Sequence, residues 1–264
     1  MNVKRNLTRK RLIVGVAGLV TVMGVAAAPV MAVTATASPS PAASPAASTT
    51  FACLAPHLAA KLNRSVSTVR AAGDCEIDLR LTTLGNLQTT VDNTAALTSA
   101  DGSALTTILT SSKSGLGTLK TKIDADSTVA SLRTDITSIS ADYRVNALVA
   151  RQVNLVRGDD LVDAAATRLT SAAGEIQAAI TAGEIAGKNE SAAAARLAAM
   201  QAAISAAQAQ VKGQAALVLP LTPSQWNAGT ATPVLNGDRG AITTARSDLR
   251  AAAADARAAV KALK

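Results

Sequence analysis

Aromatic side chains are nearly missing from this sequence: Phe51, Tyr143 and Trp226 are the only three in 264 residues. A core built on stacked rings is therefore excluded, and a surface that stacks nucleic-acid bases has almost nothing to use. Histidine occurs once, as His57. A Ser-His-Asp arrangement would have to use it, and no G-x-S-x-G elbow is present to support one. Cysteine occurs twice, at Cys53 and Cys75, too few for a thiolate-only metal centre. Strand-forming runs are scarce as well. Val218-Leu219-Pro220-Leu221 is ended by proline and is too short to found a sheet. No repeat of solenoid period appears.

Acidic residues are absent before Asp74. The N-terminus carries Lys4, Arg5, Arg9, Lys10 and Arg11, then an apolar run from Leu12 to Ala28, then Pro29 and Val30-Met31-Ala32. A basic head, an apolar middle and a small-residue exit make residues 1–32 a predicted secretory signal peptide. An uncleaved membrane anchor is the alternative, since Leu12 to Ala32 is long enough to cross a bilayer. No cysteine stands at the exit for lipid attachment. The whole chain has 26 bases against 18 acids. Removing the five N-terminal bases leaves 21 against 18, a net charge of only +3. The high pI thus belongs largely to the leader, which argues against a nucleic-acid partner.

What is abundant is alanine, threonine and aliphatic residues at helical spacing. Residues 33–50 contain Pro, Ala, Ser, Thr and Val alone and read as a disordered linker, because such a segment cannot bury enough surface to offset its ordering entropy. Residues 51–264 read as a helical bundle domain. Leu58, Leu62, Val66 and Val69 mark a short helix, and Ile77 to Val91 a second, opened by Asp74. Leu105, Leu109, Ser112, Leu116, Leu119 and Ile123 follow at 4-3-4-3-4 spacing. A further start is expected at Asp126 or Ser127, with an apolar face running through Val129, Leu132, Ile136, Ile139 and Tyr143 and on past Leu148 to Val156. Another helix opens at Asp159 and Asp160, a loop spans Thr181 to Lys188, and Leu197 to Val211 resumes the pattern. Pro220 and Pro223 break it, with Pro223 at the first position of a new helix. In the last helix Leu235, Ile242, Leu249, Ala256 and Leu263 recur every seven residues, with Ala245, Ala252 and Ala259 between them. The expected fold is all-α, an elongated antiparallel helical bundle with coiled-coil-like heptad seams. Small side chains at the seams let helices approach closely while burying little area each.

Cys53 and Cys75 are expected to form a disulfide, since their even number and predicted export favour pairing. His57, Asp74 and Glu76 lie near them in sequence, but Pro56 interrupts any regular helical spacing from Cys53 to His57, and metal or thiol chemistry is the weaker reading. Gly183 to Asn189 resembles a phosphate loop only superficially: the spacing is one residue short, and no strand precedes it. Arg239, Arg246, Arg250, Arg257 and Lys261 make the C-terminal helix basic and form a candidate interaction face for an anionic partner.

The stretch Ile139-Ser-Ala-Asp-Tyr143-Arg144-Val145, followed by Val153-Asn-Leu-Val-Arg157-Gly-Asp-Asp-Leu161-Val-Asp-Ala, resembles a pattern in uncharacterised secreted helical proteins of high-GC Gram-positive (actinobacterial) bacteria. The resemblance implies a helical fold and an extracytoplasmic location, and it transfers no activity and no site residue. Without a nucleophile, a base and an orienting group that can be named together, the expectation is a non-enzymatic secreted or cell-envelope spacer and interaction protein. It would use no cofactor and no catalytic or metal residue. Its partner would be a protein or an anionic cell-wall polymer, with self-association as a further outcome. The alternative is a bundle that carries a lipid or other apolar small molecule between its helices.

Overall fold

A computed structural model describes residues 53–263 of the chain. The predicted signal and linker lie outside these residues. The fold is all-α, with no strand among the described residues. The helices are α1 (Leu54–Leu62), α2 (Val66–Asp92), α3 (Ser99–Ala125), α4 (Val129–Ala141), α5 (Ala150–Ile185), α6 (Ser191–Val211), α7 (Gln214–Val218), α8 (Pro223–Asn227) and α9 (Ala231–Ala262). A π-helical turn, Val145–Val149, precedes α5. No described helix is long and apolar enough to cross a membrane.

The described residues divide into two compact units. The first holds residues 53–160 and 213–239. Here α2 packs against α1, α3 and α4, and α3 packs against α4. The 4-3-4 spacing is what buries this core. Leu105, Leu109, Leu116 and Ile123 of α3 are fully buried and meet Ile77 and Leu84 of α2 and Leu132 and Ile139 of α4 in one cluster. The second unit holds residues 161–212 and 240–263. Its interior consists of Ile176, Ile180, Leu197, Met200, Ile204, Ile242 and Leu249 with many alanines, among them Ala193, Ala207, Ala245, Ala252 and Ala259.

Threonine is tolerated along these helices because its hydroxyl bonds back to its own helix. Thr82, Thr83, Thr89 and Thr90 of α2 donate to the carbonyls four residues earlier, at 2.9 to 3.2 Å.

Several boundaries differ from the sequence expectation. The helix assigned to start at Asp74 starts at Val66, because Ser65 caps it by accepting from the Thr68 amide at 3.3 Å. The cap expected at Asp126 or Ser127 is supplied by Thr128, which accepts from the Ser131 amide. The apolar face expected to run straight past Tyr143 is interrupted. The helix stops at Ala141, Arg144 turns left-handed at φ 43°, and the π turn follows. Asp159 and Asp160 open no helix and lie inside α5, and the loop expected from Thr181 begins only after Ile185. Pro223 does stand at the start of a helix, behind a full capping box of Thr222 and Gln225.

Candidate interaction surfaces

Cys53 and Cys75 form a disulfide with their Cα atoms 5.7 Å apart, which ties the residue before α1 to the third turn of α2. Both thiols are consumed, so neither is a nucleophile or a metal ligand. Among the described residues no group of three or more His, Cys, Asp or Glu side chains is placed to hold a metal ion. His57 lies with Nε2 2.7 Å from Oε1 of Glu76, and the Arg80 guanidinium donates to the other Glu76 oxygen. Burial alone would raise the Glu76 carboxyl pKa. The hydrogen bonds from Arg80 and His57 overcome that and hold it below its ordinary value. One residue before Cys75, Asp74 goes the other way: burial and then the Asp124 carboxylate push its pKa up. The geometry around the disulfide is thus that of a structural tie braced by a His–Glu–Arg chain.

The acids read from sequence as helix caps are placed differently. Asp160 is buried and its carboxylate accepts from the Thr98 amide at 2.8 Å. Thr98 is the residue that caps α3. Asp160 therefore does serve a helix N-terminus, but across 62 positions and on another helix. Asp159 and Asp238 are buried nearby in the fold of the same unit. Burial raises the Asp238 carboxyl pKa, and the Asp159 carboxyl draws it part of the way back. Asp126 ends α3, where the Arg70 guanidinium covers the Ile123 and Asp126 carbonyls at 3.3 and 2.6 Å.

The five bases of the C-terminal helix are all exposed on α9. Arg246, Arg250, Arg257 and Lys261 belong to the second unit, and Arg239 to the first. At 3.6 residues per turn all five fall within an arc of about 60°, and the stretch from Arg246 to Lys261 spans about 22 Å. The acids of α9 lie elsewhere: Asp238 is buried, Asp248 is half-buried on the side of the helix away from the bases, and Asp255 pairs with Arg196 of α6 at 3.1 Å. Charge segregation leaves a narrow cationic ridge beside the buried face.

A second concentration of irregular features was not legible as a site. Arg144 is the one described non-glycine residue with positive φ, a conformation that costs about 1 kcal/mol. Its Nε donates to the Asn227 side-chain oxygen at 2.6 Å, and Asn227 returns a bond to the Ala141 carbonyl at 2.9 Å. The Arg151 guanidinium lies 5.1 Å from the centre of the Trp226 ring. One of the chain's three aromatics, Trp226, and two of its arginines are thereby used to fasten α8 to the α4–α5 turn. The only sequence signal was the pair of prolines that isolates Trp226 on a short helix.

Comparison with protein-family models, with curated proteins and with solved structures found no match for this chain.

Proposed function

We propose that this chain is a non-enzymatic helical spacer and interaction module of the cell envelope, exported to an oxidising compartment. Its partner is an anionic wall polymer engaged by α9. The observation that carries this reading is the ridge of Arg246, Arg250, Arg257 and Lys261, exposed on one helix face about 22 Å long. Bases in a row at helical spacing suit a linear polyanion, which can meet each in turn. A compact acidic ligand would be met by only one or two. The Cys53–Cys75 disulfide supports an extracytoplasmic location, as do the basic head and apolar run of residues 4–28.

The test is to fractionate the source cells, measure the intact mass of the released protein, and offer it to isolated walls. The reading expects a chain lacking the first 32 residues with both cysteines joined, retained on walls at low salt. The triple variant R246E/R250E/R257E is expected to lose about tenfold in retention. Retention unchanged by that variant, or a cytosolic full-length chain with free thiols, would contradict it.

A further inference from the structure

We propose that the leucine face of α1 is a docking surface for a lipid bilayer that carries anionic headgroups. The exposed large apolar side chains of the described residues are Leu54, Leu58, Leu62, Leu161, Ile185 and Leu217, and half of them sit in this one nine-residue helix. Leu54 and Leu58 are 50% exposed and Leu62 is 86% exposed. Their i, i+4, i+8 spacing places them on one face within an arc of about 80°.

The fold holds this face outward. Pro56 and Ala60 are the partly buried side of α1, and Ala60 packs against the core cluster. The disulfide at Cys53 fixes the N-terminal end to α2. With that side committed to α2, the leucines cannot rotate inward without breaking the tie.

Charge selects the occupant. Lys61 lies beside the leucines on α1, Arg64 follows the helix, and both are exposed. No acidic residue occurs anywhere from Met1 to Gly73. A leucine face rimmed by cations is the pattern of a helix that lies in a membrane interface, with the lysine stem extended along the apolar surface and its ammonium at the headgroups. A second copy of the chain is a poor occupant, because this face paired with itself offers Lys61 and Arg64 no acidic partner. The surface lies in the first unit and is independent of the α9 ridge of the second.

The experiment is vesicle co-sedimentation of the disulfide-bonded chain beginning at Val33, which keeps every described residue. It is run on the R246E/R250E/R257E background so that the α9 ridge cannot contribute. The probes are phosphatidylcholine vesicles with and without phosphatidylglycerol. Binding is expected only to the anionic vesicles. It should fall about tenfold in L58E/L62E and in K61E/R64E, and remain unchanged in I185E, which alters an equally exposed side chain elsewhere. Circular-dichroism melting of L58E/L62E is expected to match its parent, since both positions face solvent. The proposal is overturned if anionic vesicles bring down no protein, if L58E/L62E binds as well as its parent, or if neutral vesicles bind equally. It is also overturned if L58E/L62E converts a self-associated chain to monomer, which would make the face an interface between copies.

Discussion

The side-chain amide of Gln152 donates to the main-chain carbonyl of Val218, 3.0 Å away, across 66 positions of sequence. The same nitrogen reaches the carbonyls of Leu219 and Leu221 at 3.1 and 3.0 Å. Gln152 is 1% exposed, so it serves the Leu219 and Leu221 carbonyls on either side of Pro220 and shares the Val218 carbonyl with the Leu221 amide. Gln152→Leu keeps the volume and removes the donor. The expected cost is about 2 to 3 kcal/mol, because buried carbonyls lose their partner. Chemical denaturation of the variant should show a lower midpoint with an unchanged slope.

The disulfide is the main hold on α1. α1 has no fully buried residue of its own, so little apolar burial keeps it in place once the bond is gone. The double variant C53S/C75S is expected to lose about 3 kcal/mol, from the chain-entropy change on opening a loop of this size. Amide hydrogen exchange should rise first in α1, while the α2–α3 core keeps its protection. Uniform loss of protection across α2 and α3 would assign the bond a larger part than the packing implies.

Two acids on either side of Cys75 should respond to pH with opposite signs. Glu76 has its pKa held below the ordinary 4.5. Its contribution to stability is therefore present above pH 4.5 and is lost as pH falls through the lower, folded value. Glu76→Gln is expected to cost about 1 to 2 kcal/mol at neutral pH and to flatten the acid limb of the stability profile. Asp74 has its pKa raised above the ordinary 3.8, so its contribution is present below pH 3.8 and is lost as pH rises through the folded value. Asp74→Asn should stabilise the protein at neutral pH and change little in strong acid. Thermal melts from pH 3 to 7 separate the two.

Two helical glycines should also differ in sign. At Gly115 of α3 an added Cβ would lie 2.5 Å from Tyr143 Cε1 and 2.7 Å from its hydroxyl oxygen, whereas at Gly85 of α2 it would meet nothing within 4 Å. Gly115→Ala must displace the only tyrosine and is expected to cost about 1 to 3 kcal/mol. Gly85→Ala is expected to gain about 0.5 to 1 kcal/mol by helix propensity alone. Denaturation midpoints give both signs, and the fluorescence of the Tyr143 region should shift only in the first.

The helices were legible because aliphatic spacing of 3 and 4 is what a two-sided helix needs. Leu105, Leu109, Leu116 and Ile123 were readable as a buried face and are buried. The Cys53–Cys75 pairing was readable from number and context. Boundaries were less so. Asp, Ser and Thr are all good caps, and nothing local distinguishes Ser65 from Asp74 or Thr128 from Asp126; the tertiary contacts decide. Asp159 and Asp160 follow a glycine and so imitate a helix start, yet Asp160 serves the N-terminus of α3, 62 positions away. The break at Arg144 left no pattern at all, because a left-handed residue held by Asn227 depends on a partner 83 positions distant. The bases of α9 could be placed on one side from spacing alone, but the lone exposure of the α1 leucines could not. Leucine at i, i+4, i+8 reads as core until the fold turns it out.

The most direct measurement is the affinity of the disulfide-bonded chain beginning at Val33 for purified anionic wall polymer at two ionic strengths. Interaction through an exposed cationic ridge predicts binding that weakens steeply from about 0.01 to 0.2 M salt, as the screening length falls from roughly 30 Å to below 10 Å. It predicts that R246E/R250E/R257E removes both the binding and its salt dependence. Affinity that is indifferent to salt and to those three charges would contradict the account.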